Sequence, residues 1–221
     1  MMKAPHILAL LSEENLDHLV GAVRVRRFAR GEVVFHQGDL AESMHLIVRG
    51  RFAVRASTPL GDTVTLAILG HGDVFGEIEL LRHDHHRTVT VASLDASQTL
   101  SIGPEELARL QREQPAAIEE LFAVVADDVA RYANHLVEAL YESAEVRVLR
   151  RLLEVASLYS DHEILLTQSE LARLAGTSRT TVNKVLREEA RRGTVLLGRA
   201  RIKIVDLTLL ESRADSLAAS R

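Results

Sequence analysis

The sequence predicts an α+β chain: an N-terminal β jelly roll or small antiparallel barrel, then a long helix, then a C-terminal winged helix-turn-helix. Three observations predict this order. Eight of the twelve glycines lie between Gly31 and Gly103, among short apolar or alternating runs. A heptad pattern of apolar residues continues from Pro115 to about Glu142. The basic C-terminal part contains two helical patterns separated by a glycine turn.

The composition of the 221 residues excludes several functional classes. The absence of cysteine excludes disulfides, thiol nucleophiles and iron–sulfur clusters. Aromatic residues make up only 4%, which argues against a stacking surface for single-stranded nucleic acid. No apolar run approaches the roughly 20 residues of a membrane span. The first residues are typical of an amphipathic helix and not of a signal peptide, so we expect a cytoplasmic protein that does not contact a membrane.

The predicted strands of the barrel are short and separated by turns. Apolar or alternating runs occupy residues 33–35, 45–48, 52–55, 64–69, 88–92 and 99–102. Gly38 and Gly61 are typical of the hairpin turns that join such strands. Helices are predicted on either side of these runs, over residues 12–23 and 101–111. Residues 1–114 therefore form the predicted barrel domain.

Residues 115–143 form a predicted dimerisation helix. Its apolar positions alternate in steps of four and three residues, and they are Ile118, Phe122, Val125, Val129, Tyr132, Leu136 and Ala139. So narrow a stripe suits a partner helix, which predicts a homodimer with a two-fold seam. The alternative is that the stripe packs on the barrel of its own chain, although a broader apolar arc would suit that arrangement better.

Residues 144–221 form the predicted winged helix-turn-helix domain. A helix over 144–158 and a polar loop over 157–163 come first. Thr167 and Glu170 have the spacing of a capping box, which opens a helix over 168–175. After a turn at Gly176, Ser178 caps a second helix that continues to about residue 192. Strands over 194–197 and 201–205 form the wing, and the tail beyond Glu211 is expected to be loosely held.

The charge distribution points to a polyanionic partner for this domain. The whole chain has a net charge of −4, yet residues 164–205 hold nine lysines and arginines against three acids. That segment therefore carries +6 and the rest of the chain −10. Such an asymmetry is typical of a protein that binds double-stranded DNA with one end. The alternative is a solvated basic helix with no nucleic-acid partner.

The second helix of the motif offers side chains for reading DNA. Val182, Val185 and Leu186 are expected to pack inward, which turns a polar face outward. On that face, Arg179 can bind guanine O6 and N7 together, and Lys184 can bind a base or a phosphate. The full set of predicted DNA contacts is Thr167, Ser178, Arg179, Thr180, Thr181, Asn183, Lys184 and Arg199, with Arg201 and Lys203 as further phosphate contacts.

A second group of polar residues lies within the barrel sequence. Gly76 lets backbone N–H groups approach an anion, and Arg87 with Thr88 offers a guanidinium and a hydroxyl to a phosphate. Glu77 can accept hydrogen bonds from sugar hydroxyls. The alternative is that Glu77 and Arg87 simply pair with each other. The run of residues 83–86, His-Asp-His-His, is read as a polar loop and not as a metal site. The sequence carries no motif of a hydrolase, a zinc protease or a nucleotide-hydrolysing loop.

These segments resemble the cyclic-AMP receptor protein and anaerobic regulator (Crp/Fnr) family of bacterial transcription regulators. The stretches ARGEVVFHQGD, LIVRGRFAV, and GDVFGEIELL followed by RTVTVAS, are similar to the family's cyclic-nucleotide barrel. LTQSELARLAGTSRTTVNKVLREEARRG is similar to its recognition motif. The resemblance covers about residues 7–210, nearly the whole chain. It implies a homodimer that binds DNA, has cyclic AMP (cAMP) as effector, and works with RNA polymerase.

The resemblance also assigns residues to the effector. Glu77 matches the glutamate that binds the ribose 2′-hydroxyl and follows Gly76. Arg87 and Thr88 match the pair that binds the cyclic phosphate, ten positions after Glu77. Ile78 belongs to the same segment. The family places two hydroxyl residues of the long helix on the adenine, where this chain has Tyr132 and Ala133, followed by Asn134.

Two further positions differ from the family pattern. Glu79 stands where the family has a small residue, and a carboxylate facing inward there would weaken the binding of an anion. Thr180 stands where the cAMP-binding members have a glutamate, which accepts a hydrogen bond from cytosine N4.

The leading hypothesis is therefore a homodimeric, sequence-specific DNA-binding regulator that a cyclic nucleotide controls allosterically. The first alternative is a regulator of the same fold that binds DNA without a cyclic nucleotide or with another effector. Glu79 and the missing adenine hydroxyls favour that alternative. The second is a small-molecule-binding enzyme or buffering protein whose basic end is incidental, and salt-dependent binding to duplex DNA would distinguish it from the others.

The first prediction concerns Thr180, whose side chain is too short to replace a glutamate at cytosine. We expect Thr180→Glu to sharpen the preference at the base next to the guanine that Arg179 reads, because the carboxylate accepts from cytosine N4. Selection of binding sites from random duplexes would measure this. Identical selected motifs for Thr180→Glu and the unmodified protein would contradict it.

Overall fold

The structure is a computed structural model that describes residues 23–82 and 85–220. Apart from Val23, the predicted helix over 12–23 lies outside the described residues. The described chain forms two compact units. The first comprises the residues up to Gly61 together with Ala67–Arg131, and the second comprises Asp62–Leu66 together with the residues from Tyr132 onward. The domain limits predicted after residues 114 and 143 stay a prediction.

Two four-stranded sheets form the barrel, which confirms the predicted α+β class with an N-terminal jelly roll. The sheets have the strand orders β1-β8-β3-β6 and β2-β7-β4-β5. Each of the six predicted strands is present, with its ends within two residues of the prediction. Strands β1 and β6 were not predicted. The eight strands are β1 (Arg24–Phe28), β2 (Val33–Phe35), β3 (Met44–Arg49), β4 (Phe52–Ser57), β5 (Thr63–Leu69), β6 (Val74–Phe75), β7 (Thr90–Ser93) and β8 (Ser97–Ile102).

An aromatic cluster fills the space between the two sheets. The ring centroids of Phe28 and Phe52 are 5.7 Å apart, and those of Phe52 and Phe75 are 5.0 Å apart. The imidazole of His45 stacks on Phe75 at 5.0 Å and contacts the hydroxyl of Thr99 at 3.1 Å. Burial, followed by the charges of Arg26 and Arg87, lowers the pKa of His45 to about 3. His45 is therefore a neutral core residue at physiological pH.

Within residues 23–82 and 85–141, three helices accompany the barrel strands: α1 (Glu77–Leu81), α2 (Pro104–Glu113) and α3 (Pro115–Tyr141). Proline stands at the start of α2, where its missing N–H costs nothing. A second apolar cluster joins this part of the chain to the sheet of β3, β6 and β8. Its buried members are Met44, Leu46, Val74, Ile102, Leu110, Ala117 and Leu121.

Helix α3 uses one face for this packing and leaves its heptad stripe largely exposed. Ala117 and Leu121, which are 7% and 4% exposed, are not members of the stripe. By contrast, the stripe residues Phe122, Val129 and Leu136 are 58%, 63% and 61% exposed in the single chain. The alternative in which the stripe covers the chain's own barrel therefore receives no support from these three side chains.

The second unit is a winged helix-turn-helix. Helix α4 (Ala144–Ala156) is followed by β9 (Glu163–Ile164), the helix pair α5 (Gln168–Leu174) and α6 (Arg179–Arg192), and the hairpin β10 (Val195–Gly198) and β11 (Arg201–Ile204). Strands β10, β11 and β9 form one small sheet. The predicted loop over 157–163 therefore ends in a strand, because Glu163 pairs with Lys203 of the wing.

The tail of the chain differs from the prediction. The tail was expected to be loosely held. Instead it forms a helix, α7 (Leu207–Ala219), which packs on α4. Asp206 caps it by accepting a hydrogen bond from the N–H of Leu209 at 2.9 Å. Leu210 and Ala214 are buried, at 0% and 2% exposure. Apolar burial therefore holds the tail, and the 3-4-3 spacing of Leu207, Leu210, Ala214 and Leu217 was an available signal for this helix.

One arginine of α4 connects three chain segments within the second unit. The guanidinium of Arg147 donates to the carbonyl oxygen of Glu142 at 2.8 Å, just after α3 ends. It also donates to the carbonyls of Ala175 and Gly176, at 3.0 Å and 3.1 Å, in the turn of the helix-turn-helix. These carbonyls follow the last residues of helices and have no intrahelical partner, so a single cation satisfies both helix ends.

Among the described residues, no helix is both long enough and apolar enough to cross a membrane.

Candidate effector and nucleic-acid sites

The candidate effector site lies where β6 ends and α1 begins. Gly76 joins the two elements in a left-handed conformation with φ of 80°. A Cβ at this position would lie 2.7 Å from Nη1 of Arg87 and 3.2 Å from the carbonyl oxygen of Ser43. Only glycine combines this backbone angle with so close an approach of the guanidinium. Gly76 therefore makes room for Arg87, and its predicted contact of backbone N–H groups with an anion stays a prediction.

Arg87 is buried at the centre of the site, with 3% exposure. Its Nη1 donates to the carbonyl of Gly76 at 2.9 Å, and its Nη2 donates to the carbonyl of Ser43. The guanidinium carbon lies 3.9 Å from the ring centroid of Phe35, in the geometry of a cation–π contact. Burial lowers the pKa of Arg87, whereas the carboxylates of Glu79 and Glu77 raise it. The side chain remains a buried cation.

The carboxylate that pairs with Arg87 is Glu79, not Glu77. Oε2 of Glu79 lies 3.5 Å from Nη1 of Arg87, and both side chains are 2% exposed. Oε1 of Glu79 accepts from the hydroxyl and the N–H of Thr88, at 2.6 Å and 3.1 Å. The alternative that Glu77 pairs with Arg87 is therefore wrong, because the paired carboxylate is that of Glu79. The short helix α1 buries both Glu77 and Glu79.

Glu77 is buried without the hydrogen bonds that such a group needs. It is 3% exposed, and its Oε2 has no hydrogen-bond partner within the described part of the chain. Burial raises the pKa of Glu77 to about 7, and the nearby carboxylates of Asp128 and Glu79 raise it further, against its own backbone N–H and Arg87. A buried acceptor with an unused oxygen is suited to a hydroxyl donor from a ligand.

The other predicted effector residues lie outside this cluster of contacts. Ile78 is on α1 and is 38% exposed. Tyr132 is half-buried on α3, while Ala133 and Asn134 are exposed. These three α3 residues belong to the second compact unit, so their contact with an effector stays a prediction.

The histidines near the site have structural partners. His85 Nδ1 lies 3.1 Å from the carbonyl oxygen of Glu79, and His86 Nδ1 lies 3.1 Å from that of Gly38. Residues 83 and 84 are outside the described ranges. Within those ranges, no cluster of histidines and acids could hold a metal ion.

The helix-turn-helix forms through caps that are local in sequence, as predicted. The hydroxyl of Thr167 accepts from the N–H of Glu170 at 3.2 Å, and the carboxylate of Glu170 accepts from the N–H of Thr167 at 2.6 Å. Ser178 accepts from the N–H of Thr181 at 3.1 Å, which starts α6. The inward residues are confirmed as Val182, Val185 and Leu186, at 0%, 6% and 0% exposure.

The outward face of α6 is only partly free. Arg179, Thr180 and Arg187 are exposed, as is Lys184. However, Lys184 Nζ lies 3.0 Å from the carboxylate of Glu145 on α4, in a solvent-exposed ion pair. Asn183 is half-buried and its amide donates to the side-chain oxygen of Gln168 at 3.0 Å, which ties α6 to α5.

The wing presents further cations beside α6. Arg199 and Lys203 are exposed, and the exposed Arg201 pairs with Glu163 of β9 at 2.7 Å. The turn between β10 and β11 has Ala200 in a left-handed conformation with φ of 52°. The wing is thus a short two-stranded ribbon with a basic tip.

Several residues that shape the two sites were not predicted. Phe35 and the carbonyl of Ser43 contact Arg87 from positions more than 40 residues away in sequence, and neither was predicted to do so. Arg147, Gln168 and Glu145 hold the helix-turn-helix in the same way. An available signal was the presence of Glu79 itself, because a second buried acid next to an arginine indicates an ion pair.

The fold and the two sites define a class of protein: a winged helix-turn-helix protein that also carries a jelly-roll barrel with a buried arginine. A family model described as the cyclic nucleotide-binding domain matches residues 25–114. A second, described as the Crp-like helix-turn-helix domain, matches residues 146–213.

Known proteins match over most of the chain. A cyclic AMP receptor protein of Thermus thermophilus is 30% identical over 217 residues, which cover 98% of this chain and 100% of the relative. A CRP-like cAMP-activated global transcriptional regulator of Mycobacterium tuberculosis is 30% identical over 194 residues, covering 85% of this chain and 86% of the relative. The structure of the c-di-GMP responsive global regulator CLP of Xanthomonas campestris shares the fold, with a TM-score of 0.73 and 19% identity over 87% of this chain and 99% of that one. The chain belongs to the Crp/Fnr family of DNA-binding transcription regulators.

The second prediction concerns the pH dependence that Glu77 adds to stability. Because its pKa is raised from 4.5 to about 7, the folded protein binds the proton more tightly than the unfolded chain does. Stability is therefore lost as the pH rises from about 4.5 to about 7, by up to about 3 kcal/mol. We expect Glu77→Gln to lose this component, so that its free energy of unfolding falls less between pH 5 and pH 8.

Urea unfolding at the two pH values measures this difference. Glu105→Gln serves as the control, because Glu105 is exposed and its substitution removes the same charge from the same unit. Equal changes in the free energy of unfolding for Glu77→Gln and the unmodified protein would show that Glu77 does not titrate in this range.

Proposed function

We propose that the protein is a homodimeric, sequence-specific transcription regulator whose affinity for DNA is controlled by a cyclic nucleotide, with cAMP as the effector. The observation that carries the effector assignment is the unused oxygen of Glu77, a buried carboxyl whose charge interacts with that of buried Arg87. The proposal places the protein in the cytoplasm, with duplex DNA and RNA polymerase as partners, and gives it no enzymatic activity.

The donors and acceptors of the site match the chemistry of a cyclic nucleotide. Its phosphodiester carries one negative charge, which suits the guanidinium of Arg87 and the hydroxyl of Thr88. Its ribose 2′-hydroxyl is a donor close to that phosphate, which suits the carboxylate of Glu77. Gly76 keeps the backbone open beside Arg87, and Ile78 supplies apolar surface on α1. We assign the base to Tyr132, Ala133 and Asn134 of α3.

The names of the relatives support cAMP, but the fold alone does not select it. The Thermus thermophilus relative is a cyclic AMP receptor protein, and the Mycobacterium tuberculosis relative is cAMP-activated. The Xanthomonas campestris regulator shares the fold and is c-di-GMP responsive. The choice of cAMP therefore rests on the single-anion character of the Arg87 site and on the two relatives.

For DNA, we propose that α6 enters the major groove with its N-terminal end. The exposed Arg179 reads guanine, and Thr180 stands at the neighbouring base. The remaining contacts are assigned to phosphates, or to either a base or a phosphate, and the residues are Thr167, Ser178, Thr181, Asn183, Lys184 and Arg199. Lys184 must exchange its ion pair with Glu145 for a contact with DNA, at little cost because the pair is solvent-exposed.

The homodimer forms in this proposal through the heptad stripe of α3. Phe122, Val129 and Leu136 are each more than half exposed and lie on the stripe, so a second copy of the helix would bury them. A two-fold axis along this seam presents two copies of α6 to the DNA, about 34 Å apart, to bind two half-sites. An effector that binds one arrangement of α3 more tightly shifts the dimer towards the DNA-binding state.

The third prediction tests control by the nucleotide. We expect cAMP to increase the affinity for a duplex that carries the selected site by about 5- to 150-fold, the usual range of allosteric coupling. Fluorescence anisotropy of a labelled duplex measures this, with cGMP in a parallel titration. The affinity for DNA should fall steeply as the salt concentration rises, because lysines and arginines that bind DNA phosphates release the counterions bound there. An affinity unaffected by either nucleotide would contradict the effector assignment, and a flat salt dependence would contradict DNA binding.

The fourth prediction tests the seam of α3. We expect Leu136→Glu to yield monomers, because two carboxylates would be buried next to each other across the two-fold axis. Val137→Glu is the matched control: Val137 is 56% exposed and neighbours Leu136, which is 61% exposed, but a helix turns it about 100° away from the stripe. Sedimentation velocity measures the oligomeric state. A dimer with Glu at position 136, or monomers for both variants, would contradict the seam.

A second candidate function is supported by Glu79. The protein would then be a regulator of the same family that binds DNA without a cyclic nucleotide, because a carboxylate of its own already neutralises Arg87.

A further inference from the structure

Glu79 makes within the chain the contacts that an effector phosphate would need. Its Oε1 accepts two hydrogen bonds from Thr88, from the hydroxyl at 2.6 Å and from the N–H at 3.1 Å. Its Oε2 lies 3.5 Å from Nη1 of Arg87. A phosphodiester has the same two features, a single negative charge and two oxygens that accept hydrogen bonds. The carboxylate therefore occupies the position in which Arg87 and Thr88 would bind that anion.

The single positive charge of Arg87 balances only one of two anions, the carboxylate of Glu79 or a cyclic phosphate. The side chains of Glu79 and Arg87 are each 2% exposed, so solvent does not screen them. One cation with one anion is neutral, whereas Arg87 with both Glu79 and a cyclic phosphate would carry an extra buried negative charge. Glu77 lies close enough for the charge of Glu79 to raise its pKa, so a further anion meets a site that already holds two acids. Entry of a phosphate therefore requires Glu79 to leave.

We propose that Glu79 is an internal competitor of the effector: its carboxylate holds the phosphate position of Arg87 and Thr88, and its displacement sets the affinity and threshold for cyclic nucleotides. This inference rests on the proposed function, since it concerns the same site. The exchange replaces one anion by another on the same donors, so it leaves the fold of the barrel core unchanged. Glu77 is not displaced, because its Oε2 is free to accept from the ribose.

The proposal differs from a purely structural role in the sign of its effect. If Glu79 only supported the shape of the site, neutralising it would loosen Arg87 and weaken the binding of a nucleotide. If it competes with the phosphate, neutralising it removes the rival anion and strengthens binding. Loss of a charge-assisted hydrogen-bonded rival corresponds to about a tenfold change or more in an equilibrium constant.

The experiment is a calorimetric titration of the full-length protein with cAMP and with cGMP. The test variant is Glu79→Gln, which keeps the volume and the acceptor oxygen but removes the charge, and Glu79→Ala is a second test variant. Glu105→Gln is the matched control, an exposed glutamate of the same unit that undergoes the same change. The double variant Glu79→Leu with Arg87→Met removes both buried charges together, which avoids leaving either one unpaired.

We expect Glu79→Gln to bind at least one of the two nucleotides about tenfold or more tightly than the unmodified protein. Glu105→Gln should bind as the unmodified protein does, and the double variant should not bind. If the unmodified protein and Glu79→Gln bind cAMP with equal affinity, and likewise cGMP, while the double variant binds neither, the competitor role is wrong and the effector site stands. Weaker binding by both Glu79 variants likewise assigns Glu79 a structural role.

If neither nucleotide binds to the unmodified protein, to Glu79→Gln or to Glu79→Ala, both the competitor role and the proposed effector are wrong. Circular dichroism and thermal unfolding of each variant, with and without nucleotide, establish that the variants are folded. They also give an independent measure, because a ligand that binds the folded state more tightly raises its Tm further.

Discussion

A guanidinium buried between two sheets must have an anion beside it, and this constraint governs the barrel. Arg87 is buried, and two backbone carbonyls, an aromatic face and one carboxylate contact its guanidinium. Each of these partners fixes a piece of chain: the turn at Gly76, the segment at Ser43, the strand of Phe35 and the helix of Glu79. The local backbone is therefore arranged around one cation, and removing its partner would leave an uncompensated charge in the interior.

The same constraint bears on the effector that we propose for this site. A site that needs an anion accepts any anion of suitable shape, and its own carboxylate fulfils the need when no other is bound. Glu77 differs, because it is buried next to the pair with an oxygen that the chain does not use. Glu79 thus pairs with Arg87, whereas we propose Glu77 for the ligand. The two glutamates are two positions apart and both buried, so burial alone does not distinguish them.

The sequence could predict those parts of the fold that depend on local patterns. The strands of the barrel, the long helix and the caps at Thr167 and Ser178 each depend on residues within a few positions of one another. Strand β1 escaped prediction because its sequence RVRRF is exposed and charged, and β6 and β9 because two residues carry no period. Helix α7 could have been predicted, because Leu207, Leu210, Ala214 and Leu217 have the spacing of one helical face, whereas its packing on α4 could not.

The sites were predictable in their residue types but not in their pairings. Arg87, Thr88 and Glu77 follow from a motif, whereas the partner of Arg87 depends on a five-residue helix that alternation along a strand cannot represent. The partners of the recognition helix are 15 and 39 positions away, for Asn183 and Lys184 respectively. Such contacts arise only when the helices pack, so the sequence predicts which side chains can reach DNA and not which are already engaged.

The three carbonyls to which Arg147 donates have a consequence for where the DNA-reading half can be separated from the rest of the chain. Anyone who excises the DNA-reading half, or exchanges it for that of another regulator, has to choose a first residue. A cut at residue 144 keeps the arginine and discards the Glu142 carbonyl that it holds, so one of its N–H donors is left without its acceptor beside the turn. A DNA-reading half that begins at or before Glu142 keeps all three carbonyl acceptors of Arg147.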